Sequence, residues 1–233
     1  MTVANEQTRI EWVKRQLLSL PDGSTLLDVG AGECQYKKFC SHLNYVSQDV
    51  SQYDGKGDQS GLQTGTWDFS QIDVICDLLD MPEENPYDSV LCTEVLEHVP
   101  DPIRALEKLV SLTKSGGKLV ITAPFSSLTH FAPYHYATGF SSFFYSYHLE
   151  NMGCDIVELS PNGGYFDYIA QEVHRAPHVY KKFTGSSLGF FRKQILKQAK
   201  KILENASYKD ASLAKRKTSE LLTFGWHVVA TKR

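Results

Sequence analysis

Three carboxylates stand at or near the ends of three apolar runs: Asp28 in LLDVGAGEC (26–34), Asp49 in NYVSQDV (44–50) and Asp77 in IDVICD (72–77). Gly30 and Gly32 follow the first run. Without Cβ atoms they let the backbone bend and come close to a ligand. Asp49 lies about twenty residues further on, where an acid can take a ribose diol. Asp77 is placed for the exocyclic amine of a base. Together these residues suit an adenosine-containing cofactor, and two details narrow its charge. The third glycine of the dinucleotide fingerprint is absent, since Glu33, Cys34 and Gln35 follow Gly32. Asp28 would also repel a pyrophosphate, whereas a cofactor carrying an ammonium and a sulfonium would suit it. A nicotinamide oxidoreductase is therefore the disfavoured alternative.

A second concentration of chemistry is FSSLTHFAPYHYATGFSSFFYSYHL (125–149), with nine aromatic residues and His130, His135 and His148. An aromatic pocket with a few polar groups suits a small organic ligand. Phe140, Phe144 and Tyr147 fall at helical spacing and read as core packing, which leaves His130 and His135 as the loop histidines. In EVLEH (94–98), Glu94, Glu97 and His98 sit at i, i+3 and i+4, one face of the segment if it is helical. Two carboxylates and an imidazole suit a divalent ion of the Mg/Mn/Zn range.

The elements that must position these groups are legible as alternation. Apolar runs at 25–30, 44–50, 72–77, 87–93, 118–124, 154–159 and 225–231 alternate with helical patterns at 34–42, 101–114, 139–152 and 188–206. Residues 1–22 carry an N-terminal helix, with Ile10, Val13, Leu17 and Leu20 at helical spacing before Pro21-Asp22-Gly23. Asp101-Pro102 is a helix start and Ser115-Gly116-Gly117 a stop. Continuous apolar strands between helices make a parallel sheet covered on both faces. The expected fold is α/β: one domain over 1–233, with a doubly wound, mostly parallel, Rossmann-like seven-stranded sheet and a helical, basic insertion at 165–222 before the last strand. Only about nine residues separate the third and fourth runs, short for a parallel crossover.

LLDVGAGEC, QDVSQYD, CDLLDMPEENPYDSVLCTEVLEHVPDPIRALEKL and SGGKLVITAPF resemble, in order and spacing, the class I S-adenosylmethionine-dependent methyltransferases. The likeness is to their small-molecule, type 11-like branch, and it covers roughly residues 20–160 and the last strand. The resemblance implies that S-adenosylmethionine is the cofactor. Asp28, Gly30 and Gly32 would surround its methionine part, and Asp49 its ribose. Asp77 and the Leu78 backbone would meet the adenine, with Thr93 beside the sulfonium. Cys34 departs from the family, which often has glycine there. An alcohol acceptor needs its proton removed, so His130 and His135 are the candidate catalytic bases. EVLEH resembles the metal site of small-RNA 2′-O-methyltransferases and of some quinone-pathway O-methyltransferases, where a downstream histidine completes the set, so the resemblance implies Glu94, Glu97 and His98 with His130 or His135. This makes a metal-dependent O-methyltransferase an alternative to the metal-free reading, and a non-catalytic, methyltransferase-like binding protein a second one.

Composition bounds the partners. The 233 residues are 42% hydrophobic and 22% charged, with a net charge of −3, which argues against a general nucleic-acid binder. The charge is uneven: residues 175–220 hold twelve Lys/Arg against three acids. Within them, SSLGFFRKQILKQAKKILENA (186–206) puts Leu188, Phe191, Ile195, Ala199 and Ile202 on one face. The plain expectation is a solvated helix that packs this stripe on the domain. Otherwise the helix meets a membrane surface or phosphates, and the small-molecule acceptor is phosphorylated or lipid-linked. No apolar h-region opens the chain, and five scattered cysteines lack a CxxC pair. Both features point to a cytoplasmic protein with reduced thiols.

Overall fold

The computed structural model describes residues 5–213 and 217–233. The first four residues of the expected N-terminal helix, and Lys215 and Arg216 of the basic segment, lie outside them. Strands β1 (Thr25–Val29), β2 (Asn44–Asp49), β3 (Val74–Ile75), β4 (Tyr87–Thr93), β5 (Thr113–Pro124), β6 (Cys154–Pro161) and β7 (Gly225–Lys232) form one sheet in the order β3-β2-β1-β4-β5-β7-β6. Pairings from β3 through β5 are parallel, and β5 pairs with β7 antiparallel. The helices are α1 (Asn5–Leu18), α2 (Pro102–Ser111), α3 (Ser142–Asn151), α4 (Tyr165–Thr184) and α5 (Phe190–Ala211). The chain runs outward from β1 to β3 and then returns to β4, so the strand order reverses between β1 and β4. In such sheets ligands bind at that reversal.

Two compact units are present: residues 9–160 with 225–233, and residues 161–224 with the start of the chain. In the larger unit the sheet is apolar on both faces. The strand register sorts residues by face: Leu27, Val90, Leu119 and Ala230 form one row and Asp28, Leu91, Val120 and Val229 the next. The first row packs against Leu106 and Leu109 of α2 and Tyr145 and Leu149 of α3. The apolar members of the second meet Trp12, Val13 and Leu17 of α1. Asp28 thus shares a row with core residues.

Local departures from the sequence pattern have identifiable causes. The expected helix at 34–42 is reduced to a 3₁₀ turn, Lys37–Phe39. Cys34 has φ 55, a left-handed conformation that cannot begin an α-helix, and Tyr36 and Cys40 are drawn into the core instead. Ser115-Gly116-Gly117 lies inside β5 rather than ending α2. The β4–β5 register slips there, from Tyr87↔Thr113 to Ser89↔Lys118. Gly116 takes φ 76, and a Cβ on Gly117 would meet the Asp88 carbonyl at 2.9 Å, so the glycines serve the slip. The crossover from β3 to β4 is minimal, with one 3₁₀ turn, Leu78–Asp80, in place of a helix. Helix α4, which the apolar pattern did not single out, has Pro177 inside it.

In the smaller unit α4 and α5 pack on each other. What α5 buries is largely polar: Ser207 donates to Asp167, and Asp210 accepts from Thr218. The apolar stripe expected to pack on the domain is instead largely exposed, with Phe191 at 82%, Ile202 at 68% and Ile195 at 67%. Leu188 and Ala199 are half-buried. No helix among the described residues is long and apolar enough to cross a membrane.

Candidate functional site

Where the strand order reverses, the larger unit holds a cavity of about 240 Å³. Gly30 and Asp49 line it from the ends of β1 and β2, Asp77 and Leu78 from the turn after β3, and Glu94 and Val95 from the end of β4. Four of the seven expected cofactor residues therefore share one cleft: Gly30, Asp49, Asp77 and Leu78. Thr93 ends β4 but does not line the cavity; Glu94 and Val95 do.

Gly32 sits one layer back. Its amide donates to Asp49 Oδ2 at 2.9 Å, and the Ser51 amide donates to Asp49 Oδ1 at 2.7 Å. The glycine turn is thus pinned to the tip of β2. Gly30 adopts φ +63, and a Cβ there would meet Val95 Cγ2 at 2.3 Å; for Gly32 the obstruction is the Trp67 ring at 2.6 Å. Both glycines are required by packing as well as by backbone conformation. Asp77 caps the turn that follows it, accepting from the Leu79 amide at 2.8 Å, and still faces the cavity.

Asp28 is only 1% exposed and is not a cavity wall, because the register places it in a core row. Its Oδ2 accepts from the Tyr45 hydroxyl at 2.6 Å, and its Oδ1 is buried without a partner. Burial, with a smaller contribution from Asp49, pushes its carboxyl up to about 7, partly offset by the Tyr45 hydrogen bond.

Much of the cavity wall is aromatic. Tyr53, Trp67 and Phe69 come from the long β2–β3 connection, and Phe131, Tyr134 and Tyr136 from the loop after β5. Trp67 packs edge-on to both Tyr53 and Phe131. Phe131, Tyr134 and Tyr136 belong to the aromatic stretch expected to form a pocket, whereas Tyr53, Trp67 and Phe69 lie in a connection without periodicity and were not anticipated.

EVLEH does not form an α-helical face. Glu94 has φ 55, and a 3₁₀ turn covers only Leu96–His98. Glu94 lines the cavity while it pairs with Arg9 (2.9 Å) and accepts from the Thr122 hydroxyl (3.0 Å). Glu97 is fully buried, and burial with Glu94 nearby drives its carboxyl well above the usual range. His98 lines the cavity, and burial pulls its imidazole down to about 4. His130 and His135 do not line the cavity, but their rings lie 4.7 Å and 6.1 Å from that of His98. Burial also lowers His135.

Comparison with known proteins gives a match to a family described as a methyltransferase domain, over residues 5–189. The chain belongs to that methyltransferase family. Within it, this methyltransferase domain is 31% identical over 122 residues to the ubiquinone biosynthesis O-methyltransferase of Xylella fastidiosa (strain M23). The aligned part is 49% of this chain and 46% of that protein. The chain spans about half the length of the curated relatives it matches. Among solved structures, phosphoethanolamine N-methyltransferase 2 of Haemonchus contortus, in complex with S-adenosyl-L-methionine, is similar at TM-score 0.51 and 16% identity. That likeness covers 97% of this chain and 52% of the other. The [4+2]-cyclase SpnF is similar at TM-score 0.52 and 17% identity, over 96% and 80%. At these identities the likeness concerns the fold, which carries more than one activity.

Proposed function

We propose that this methyltransferase domain transfers a methyl group from S-adenosylmethionine to an oxygen of a small, ring-bearing acceptor. The observation that carries the reading is the convergence of Asp49, Asp77 and the Gly30 turn on one cavity with aromatic walls. The residues fit the cofactor. Asp49 can take the ribose hydroxyls, Asp77 and the Leu78 backbone the adenine, and the unpaired Oδ1 of Asp28 can draw the ammonium toward the turn. The relatives named as ubiquinone biosynthesis O-methyltransferases support oxygen as the methylated atom.

The cofactor, when bound, supplies a methyl already activated on a sulfonium. What remains for the chain is alignment, which can lower a barrier by roughly 7–11 kcal/mol. Phe131, Tyr134 and Tyr136 would hold the acceptor and exclude water. An imidazole beside the cavity would take the hydroxyl proton, and His130 and His135 stand next to His98, which lines it. Five free cysteines fit a reducing, cytoplasmic setting.

A lipid-linked acceptor is supported by the exposed side of α5, where Phe190, Phe191 and Ile195 accompany Arg192, Lys193 and Lys197. Such a face suits an anionic lipid surface.

The test is calorimetry with S-adenosylhomocysteine, followed by assay of phenolic and aliphatic hydroxyl acceptors with labelled cofactor. Binding and turnover of a hydroxyl acceptor is the expected result. Binding without turnover of any acceptor would support a non-catalytic role, and tighter binding of NADH would overturn the cofactor assignment.

A further inference from the structure

Three histidines from distant parts of the chain meet beside the cavity. His98 closes the 3₁₀ turn after β4, and His130 and His135 come from the loop between β5 and α3. One ligand atom from each lies within 4.8 Å of the other two, and this is the only group of at least three metal-capable side chains so placed among the described residues. We propose that His98, His130 and His135 bind a divalent first-row transition-metal ion of the zinc or iron class, with open coordination positions toward the cavity. The inference goes beyond methyl transfer and does not depend on it.

The hydrogen bonds prepare the rings for this. His98 Nδ1 faces the Tyr134 carbonyl, an acceptor only, so it must donate and leave Nε2 as a bare lone pair. His130 Nδ1 meets the Leu128 carbonyl at 2.8 Å with the same consequence. Metal-binding histidines are commonly fixed through their second nitrogen in this way. Nε2 of His98 and both nitrogens of His135 are buried with no hydrogen-bond partner. Phe131 stacks on His98, ring centres 5.0 Å apart, and holds its plane.

Zn–N bonds of about 2.0–2.1 Å need ligand nitrogens roughly 3.3 Å apart, so the rings must close by about 1.5 Å at most. His130 and His135 are on a loop, and His135 has no hydrogen bond to lose. Three imidazoles favour zinc, iron, copper or nickel over magnesium or calcium. Glu94, taken by Arg9 and Thr122, is outside the set. Glu97 approaches His98 Nε2 only to 3.8 Å and is not in the group either. With an ion bound, the three lone pairs are occupied. None of the three imidazoles could then serve as the base, and a cavity hydroxyl in an open position would be acidified by the metal and lose its proton to solvent water.

The experiment uses the full chain stripped with chelator, with no cofactor or acceptor present, so its result is independent of the methyl-transfer assignment. Zn²⁺ is titrated by calorimetry, and Co²⁺ is followed by visible absorption. One equivalent is expected to bind, with Mg²⁺ at least tenfold weaker. His130→Ala and His135→Gln should each weaken Zn²⁺ about tenfold or more, with unchanged circular dichroism, while Glu97→Gln leaves it unchanged. Absence of stoichiometric binding would overturn the proposal. So would binding that survives both loop-histidine changes, or binding that is lost in Glu97→Gln.

Discussion

The Gly32 amide donates to Asp49 Oδ2 at 2.9 Å, so the acid at the tip of β2 organises the glycine turn that it shares the cleft with. Replacing Asp49 with alanine removes the proposed ribose acceptor and frees the turn together. A charge-assisted hydrogen bond is worth about 1.5–3 kcal/mol, so Asp49→Ala should weaken S-adenosylhomocysteine about 10- to 150-fold. Calorimetry reads this directly. Unchanged affinity would remove Asp49 from the site.

Asp28 gives a pH signature. Its carboxyl is raised from the ordinary 3.8 to about 7, mainly by burial. For an acid raised in the folded state, its contribution to stability is complete below the unfolded value and lost as pH climbs through the folded one. The loss therefore runs from about pH 4 to pH 7. Asp28→Asn keeps an acceptor for Tyr45 and cannot ionise. Its stability advantage over the parent should grow by about 2–3 kcal/mol between pH 5 and pH 8, while cofactor affinity falls. Urea unfolding at the two pH values tests it. An advantage that does not change with pH would contradict the assignment.

How far the residues announced this arrangement differs by residue. Strand positions were legible because continuous apolar runs have few other uses, and the order of the acids then placed Asp49 and Asp77 at one sheet edge. The register was not legible, and it is what sends Asp28 into a core row while its neighbours face the cleft. The pattern could not show that Glu94 is paired with Arg9, a partner 85 positions earlier in the chain. The resemblance of EVLEH to a metal site offered His130 or His135 as a companion of His98, but it could not show that all three meet, since that depends on a loop without periodicity. The α5 stripe was visible as a stripe, but its environment was decided by the polar contacts on the helix's other side.

Gly30 tests whether the turn needs glycine for its backbone or for space. At φ +63 an alanine costs about 1–2 kcal/mol, and its Cβ would also strike Val95. Gly30→Ala should lower the melting temperature by about 2–8 °C. Adding Val95→Ala removes the clash but not the strain, so the pair should be non-additive, with only part of the deficit recovered relative to Val95→Ala alone. Simple additivity in thermal melts would show that the two residues do not meet.

The exposed face of α5 makes the last prediction. Phe190 and Phe191 are 69% and 82% exposed on a helix carrying Arg192, Lys193, Lys197, Lys200 and Lys201. Exposed apolar side chains contribute little to folding, so Phe190→Ser with Phe191→Ser should leave the melting temperature nearly unchanged. The two rings can enter the headgroup region of a bilayer while the cations meet anionic lipid. The parent protein should therefore sediment with phosphatidylserine-containing vesicles at low salt. It should release as ionic strength shortens the screening length to about 3 Å near 1 M. The double variant should stay in solution under both conditions. Neutral vesicles should retain the parent only weakly, because apolar insertion by two rings is small without charge attraction. A parent protein that fails to sediment with anionic vesicles at low salt would exclude lipid docking through α5. The acceptor would then have to reach the cavity from solution.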